Sequence, residues 1–194
     1  MDTYVEAATA QSHYVDFRYL KRVKQGDTIP VNAVRPFGRS LFENGRKIDY
    51  VVAKWIPNDK QAVWGKAWLN NGSLNAVFVH NNIVKNITHP EIANGFYILI
   101  YNGSVEENGF RFSWELSRDV DTGTVLYSGF NKHVPAVYSD PYSNSECLGE
   151  SIWDQRIGEF VLNGRDVPIV INNLSNLFDQ RIYVLTKQRC NCQC

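Results

Sequence analysis

Residues 63–114 constrain this chain most, because they hold two pairs of β-favouring runs and much of its aromatic content. The first pair, Val63-Trp64-Gly65-Lys66-Ala67-Trp68-Leu69 and Leu74-Asn75-Ala76-Val77-Phe78-Val79, is joined by Asn70-Asn71-Gly72. Two short apolar runs around an Asn/Gly cluster predict a β-hairpin. The second pair is a continuous β-favouring run over 96–101 and the alternating Phe110-Arg111-Phe112-Ser113-Trp114-Glu115, which predicts a half-buried strand. Three of the five tryptophans and four of the ten phenylalanines lie here. Large aromatics bury the most area per residue, so Trp64, Trp68, Phe78, Leu99, Phe112 and Trp114 are the expected core. Gly65 and Ala67 present small side chains on the face opposite the tryptophans, which suits close approach of another strand or sheet.

The rest of the chain carries the same punctuation. Strands are expected over 29–34, 48–55, 124–128, 134–138, 156–162, 167–171 and 181–186, with hairpin turn signals at Asn44-Gly45 and Asn163-Gly164. Residues 81–94 read as a polar loop and 139–145 as a turn-rich connection. Many short strands with turns every 8–12 residues or so predict an all-β fold of mainly antiparallel sheets, with few or no long helices. Residues 1–27 read as an N-terminal extension or edge element, compatible with either an amphipathic helix or a strand. Residues 28–188 form the β-rich domain, in halves of about 28–115 and 120–186, and 189–194 form a cysteine-rich tail.

The two halves echo one another. Residues 29–34 resemble 134–137, Gly65 to Gly72 resembles Gly158 to Gly164, 76–79 resembles 168–171, and Tyr97-Ile98-Leu99 resembles Tyr183-Val184-Leu185. The order is kept while the spacing contracts, which predicts an internal duplication within a single domain.

Charge narrows the partners. Twenty basic residues balance twenty acidic ones, and no basic stripe stands out, so no nucleic-acid partner is expected. No apolar run approaches the ~20 residues that span a bilayer, and the first residues lack the secretory pattern. A cytoplasmic protein without membrane insertion is expected. Cys147, Cys190, Cys192 and Cys194 are then expected as thiols, and the Asn-x-Ser/Thr triplets at Asn71, Asn86, Asn102 and Asn173 as chance occurrences in turns.

Catalytic chemistry finds little footing. His13, His80, His89 and His133 are isolated in sequence, and no metalloprotease, nucleophile-elbow, Walker or dinucleotide-binding pattern occurs. The run Cys190-Asn191-Cys192-Gln193-Cys194 is too tight to close a zinc site alone, although Cys147 could approach it. The tail is expected to be dispensable for folding. The tryptophans could stack on sugars, but each lies in or beside an apolar run and reads as core. No enzyme, no cofactor and no metal is expected, and no residue is assigned a catalytic, cofactor, metal or partner-binding role.

An ordered set of landmarks carries a resemblance over about 29–194. It runs through Trp64-Gly65-Lys66-Ala67-Trp68, Gly72, Phe78, Ile98-Leu99 with Tyr101, Gly109-Phe110 with Trp114, Val134-Pro135, Leu148-Gly149, Ile157-Gly158-Glu159-Phe160, Ile182-Tyr183-Val184 and a Cys-x-Cys ending. This set resembles the nematode sperm cytosolic motility proteins of the major sperm protein fibre protein 2 type. The resemblance implies a β-rich, cytoplasmic, non-enzymatic protein that associates with major sperm protein filaments and promotes their assembly. Members of that family carry two such domains, so a homodimer of this chain would restore two sites. The segment with Ala33-Val34, the strand 48–55 and Gly65-Lys66 is similar, more faintly, to the DM9-repeat proteins, which would imply a mannose-type lectin module instead.

Overall fold

The computed structural model describes residues 15–59, 61–128, 132–172 and 176–190. His13, Cys192, Cys194, the Asn173 triplet and most of the expected N-terminal element lie outside them. Two six-stranded antiparallel sheets make up the fold, with a two-stranded hairpin at their side. The strands are β1 (Leu20–Val23), β2 (Leu41–Glu43), β3 (Arg46–Ile48), β4 (Val51–Trp55), β5 (Val63–Asn70), β6 (Ser73–His80), β7 (Ile83–Asn86) and β8 (Phe96–Leu99). They continue as β9 (Phe110–Leu116), β10 (His133–Asp140), β11 (Ser145–Ile152), β12 (Ile157–Phe160), β13 (Ile169–Ile171) and β14 (Ile182–Arg189).

The expected hairpin forms as β5 and β6. Asn71 and Gly72 take positive φ of 50° and 78° in its two-residue turn, the conformation that matches the twist of the flanking strands. Asn44 and Gly45 do the same between β2 and β3, at 52° and 76°. Asn81 and Asn82, at 54° and 59°, add a third such turn. Residues 83–86 therefore return as β7, and 81–94 is no simple loop: the Asn-Asn pair is itself a turn signal, and a short helix follows at Pro90–Ala93.

The two sheets are built alike. The first runs β1-β8-β4-β5-β6-β7 and the second β9-β14-β10-β11-β12-β13. Ala53 sits between Gly65 and Ile98, just as Ala136 sits between Gly149 and Val184. Gly65 faces Phe78 and Gly149 faces Phe160. A Cβ at either glycine would strike the neighbouring strand's carbonyl oxygen and the phenylalanine ring, so both positions require a hydrogen there. Each ring also packs on an aromatic two strands earlier, across the glycine strand, Phe78 at 5.9 Å from Trp55 in β4 and Phe160 at 5.7 Å from Tyr138 in β10.

The two halves thus share one plan, but the correspondence differs from the one expected from the sequence. Tyr97-Ile98-Leu99 does correspond to Tyr183-Val184-Leu185. Val134-Pro135-Ala136 corresponds to 51–53, not to 29–34, and β5 corresponds to β11, not to β12. The expected strands at 29–34 and 124–128 shrink to isolated bridges: Ala33 to Ile100 in the first, Val125 to Thr186 and Ser128 to His133 in the second. These two short segments are equivalent, since Val34 donates to the Leu99 carbonyl (2.8 Å) as Leu126 does to that of Leu185 (3.1 Å). The sheets divide between β8 and β9, so the boundary falls before 110, and β1 belongs to the first sheet although 20–23 was read with the N-terminal extension.

Each sheet buries one face on its own cluster and the other against its partner. Ala53, Trp55, Phe78 and Ile98 form the first cluster; Ala136, Cys147, Phe160 and Val184 form the second. Between the sheets lie Tyr50, Val52, Trp64, Trp68 and Leu99 from one side and Phe110, Val137, Leu148 and Leu185 from the other. Of the six expected core residues, Trp64, Trp68, Phe78 and Leu99 are buried, while Phe112 and Trp114 are only partly so.

Candidate functional site

Two places hold polar groups that a folded chain does not bury or expose without reason. The first is the seam where β5 packs on β11. Lys66 points between the sheets and is wholly buried. Its ammonium reaches Glu43 Oε2 (2.9 Å) and the Val161 carbonyl (2.6 Å), with the Cys147 sulfur at 3.9 Å. Glu43 lies on the β2–β3 hairpin, and its other oxygen accepts from the Asn163 N–H. One lysine therefore ties the first sheet to the hairpin and to the second sheet. Burial pushes the Cys147 thiol up to about 11, and it donates to the Val161 carbonyl (3.0 Å). A thiol so protonated is a poor nucleophile at neutral pH.

Glu150 holds the position in β11 that Lys66 holds in β5, one residue beyond the matching glycine. It crosses in the opposite direction. Its Oε2 accepts from the Trp64 N–H (2.9 Å) and contacts His133 Nδ1 (3.0 Å). His133 Nε2 contacts Gln61 Nε2 (2.9 Å), and the Trp64 indole donates to the His133 carbonyl (3.2 Å). The buried position, the largest single influence, opposes the charged imidazole, but the Glu150 carboxylate together with Glu159 and Asp154 raises the His133 pKa above 6.5.

The second place is a surface groove of about 550 Å³ beside β9, the outermost strand of the second sheet. Phe112 and Trp114 line one side. Val34, Arg35 and Phe37 line the other. That wall is fixed firmly: Val34 is hydrogen-bonded to both Leu99 and Val52, and Arg35 forms a two-point ion pair with Asp49 at 2.8 and 3.1 Å. Phe37 has φ of 53°, a conformation costly for a bulky residue. Its ring packs against Tyr183 (5.2 Å) and Trp114 (5.7 Å), beneath the Arg39 guanidinium at 5.1 Å. Arg39 is in turn held at two points by Glu146. On β9, Arg111 donates to Gln188 Oε1 at 3.1 and 3.2 Å.

The three described histidines do not converge. His133 is in the seam, His80 Nε2 lies 2.9 Å from Asp59, and His89 starts the short helix at Pro90–Ala93. Among the described residues no three His, Cys, Asp or Glu side chains gather as metal ligands would. Sequence reasoning assigned no residue to the seam or the groove. The Lys66–Glu43 contact joins residues 23 positions apart, and Arg111 and Phe37 come to line one groove only through the sheet order. The one available signal was Lys66 itself, a lysine inside an apolar run.

Comparison with known proteins adds to this geometry. The family model described as MFP2b, cytosolic motility protein, matches residues 21–187. Among solved structures, the nematode sperm cell motility protein MFP2B superposes with a TM-score of 0.71 at 17% sequence identity. That match covers 90% of this chain but 46% of the other, so the chain spans less than half of that protein's length. No curated protein matches.

Proposed function

The chain belongs to the MFP2b family of cytosolic motility proteins, and on that premise we propose that it is a non-enzymatic accessory protein of the nematode sperm cytoskeleton. In this reading it associates with filaments of major sperm protein and promotes their assembly. The observation that carries it is the extent of the family match, which runs through both sheets, from β1 to β14. The chemistry of the interior supports a binding role. Glu43, Lys66, His133 and Glu150 are all engaged in bonds that join the sheets, which is structural work. The family is described as cytosolic, and among the described residues no helix is long and apolar enough to cross a membrane.

One such unit offers one small interface and hence modest affinity, and a homodimer would raise it through effective concentration. The experiment is co-sedimentation of the full chain with assembled major sperm protein filaments, together with the filament growth rate. Co-sedimentation with faster growth is expected. Absence of the chain from the pellet at micromolar filament concentrations would overturn the proposal.

A further inference from the structure

We infer that the open edge of β9 is a docking site for an extended, acidic segment of a partner protein, which joins the second sheet as an added strand. The backbone comes first. Leu126 donates to the Leu185 carbonyl, so odd-numbered residues of β14 turn their backbone groups away from β9 and even-numbered ones turn theirs towards it. In the register of the pair, Val184, Thr186 and Gln188 face Glu115, Ser113 and Arg111. Those are the bonded positions of β9, because bonded and non-bonded pairs alternate in an antiparallel ladder. Phe112 and Trp114 therefore direct their N–H and C=O groups outward. Phe110 faces the same way, but its carbonyl accepts from the Tyr101 hydroxyl, which closes that end of the edge. Among the described residues nothing pairs with this edge, and an edge of this kind is a template for another strand.

What lies beside the edge selects the occupant. The groove gives an incoming strand apolar contact on Phe37 and the half-buried Phe112 and Trp114. Among the described residues its lining includes two arginines and no acidic residue: Arg35 on the Phe37 side, and Arg111 on β9, whose side chain lies on the Gln188 face beside the edge. Asp49 already matches Arg35. Arg111 is bonded to the neutral amide of Gln188, while the Glu115 carboxylate on the same face of β9 accepts from Thr186 and Gln188, so the Arg111 guanidinium is left for a carboxylate from outside. A guanidinium and a carboxylate make the stronger class of hydrogen bond. The left-handed Phe37 backbone, clamped by ring contacts and by Arg39, keeps the opposite wall in place before any partner arrives, which lowers the ordering cost of binding. Main-chain pairing then supplies affinity, and the aromatic and arginine contacts supply choice of partner.

The test uses the full chain and three capped heptapeptides: alternating glutamate and valine, alternating lysine and valine, and the glutamate peptide N-methylated at every residue. Binding is followed by backbone amide chemical shifts. The glutamate peptide is expected to shift Arg111, Phe112, Ser113 and Trp114 and to bind roughly tenfold more tightly than the lysine peptide. N-methylation is expected to abolish binding, and Arg111→Gln to remove most of the preference for glutamate while leaving the remaining amide spectrum unchanged. Equal binding of the N-methylated or lysine peptide, shifts clustered away from β9, or no shift at millimolar peptide would overturn the inference. Because no filament is present, this outcome is separate from that of co-sedimentation.

Discussion

Lys66 Nζ lies 2.9 Å from Glu43 Oε2, and neither side chain reaches solvent. A pair like this adds little over a well-packed apolar pair, yet removing one partner strands a buried charge. Lys66→Met is expected to cost about 3–5 kcal/mol in urea denaturation. The double variant Lys66→Met/Glu43→Gln should cost clearly less than the sum of the two single changes. Additive losses would mean that the two groups do not act on each other.

His133 makes stability depend on pH. Its folded pKa is raised by Glu150, so the folded state holds the proton to higher pH than the unfolded chain does. The resulting stabilisation is full below about 6.5 and is lost as pH rises through the folded value. The urea midpoint should accordingly fall over that interval, and His133→Gln should flatten the curve there. A wild-type midpoint that rises with pH would contradict the assignment.

Lys54 acts with the opposite sign. It is 7% exposed, with its ammonium 5.3 Å from the centre of the Trp64 ring, and burial lowers its pKa to about 8. The folded state loses this proton before the unfolded chain does, so the lysine's penalty is full below 8 and shrinks as pH rises towards 10.5. Lys54→Met should stabilise the protein at pH 7 by about 1–2 kcal/mol and gain less at pH 10. Loss of stability at pH 7 would show that the ammonium is better accommodated than its burial implies.

The tryptophans should separate into two classes. Trp64 is 1% exposed between the sheets, whereas Trp114 lines the groove and is only partly buried. Trp64→Ala is expected to cost about 3–5 kcal/mol, and Trp114→Ala less than half as much. Thermal melts of the two variants decide the matter, and equal losses would place Trp114 in the core.

Turn chemistry was the most legible layer of this fold. Asn44-Gly45 and Asn71-Gly72 need backbone conformations that few other residue pairs take, and both sit where expected. Strand β11 escaped notice for the opposite reason. Ser145, Glu150 and Ser151 are 4%, 1% and 0% exposed, so a central strand reads as a polar stretch. Their partners are remote: Asn44 donates to Ser145 and Trp64 to Glu150, and no local pattern announces such bonds. Missing β11 also shifted the repeat by one strand. The groove was hidden because alternation along 110–115 marks a half-buried strand, while only the sheet order makes that strand an edge.

The matching positions of Lys66 and Glu150 have a consequence for how the halves recognise each other. Two copies of the first half, joined in the same way, would bring a second ammonium to the Trp64 N–H, donor against donor. Two copies of the second would set a carboxylate where Lys66 now meets the Val161 carbonyl, acceptor against acceptor. The halves share a plan but are not interchangeable. Each is a lock cut for the other, because a swap of either half for its twin sets like groups together at this position.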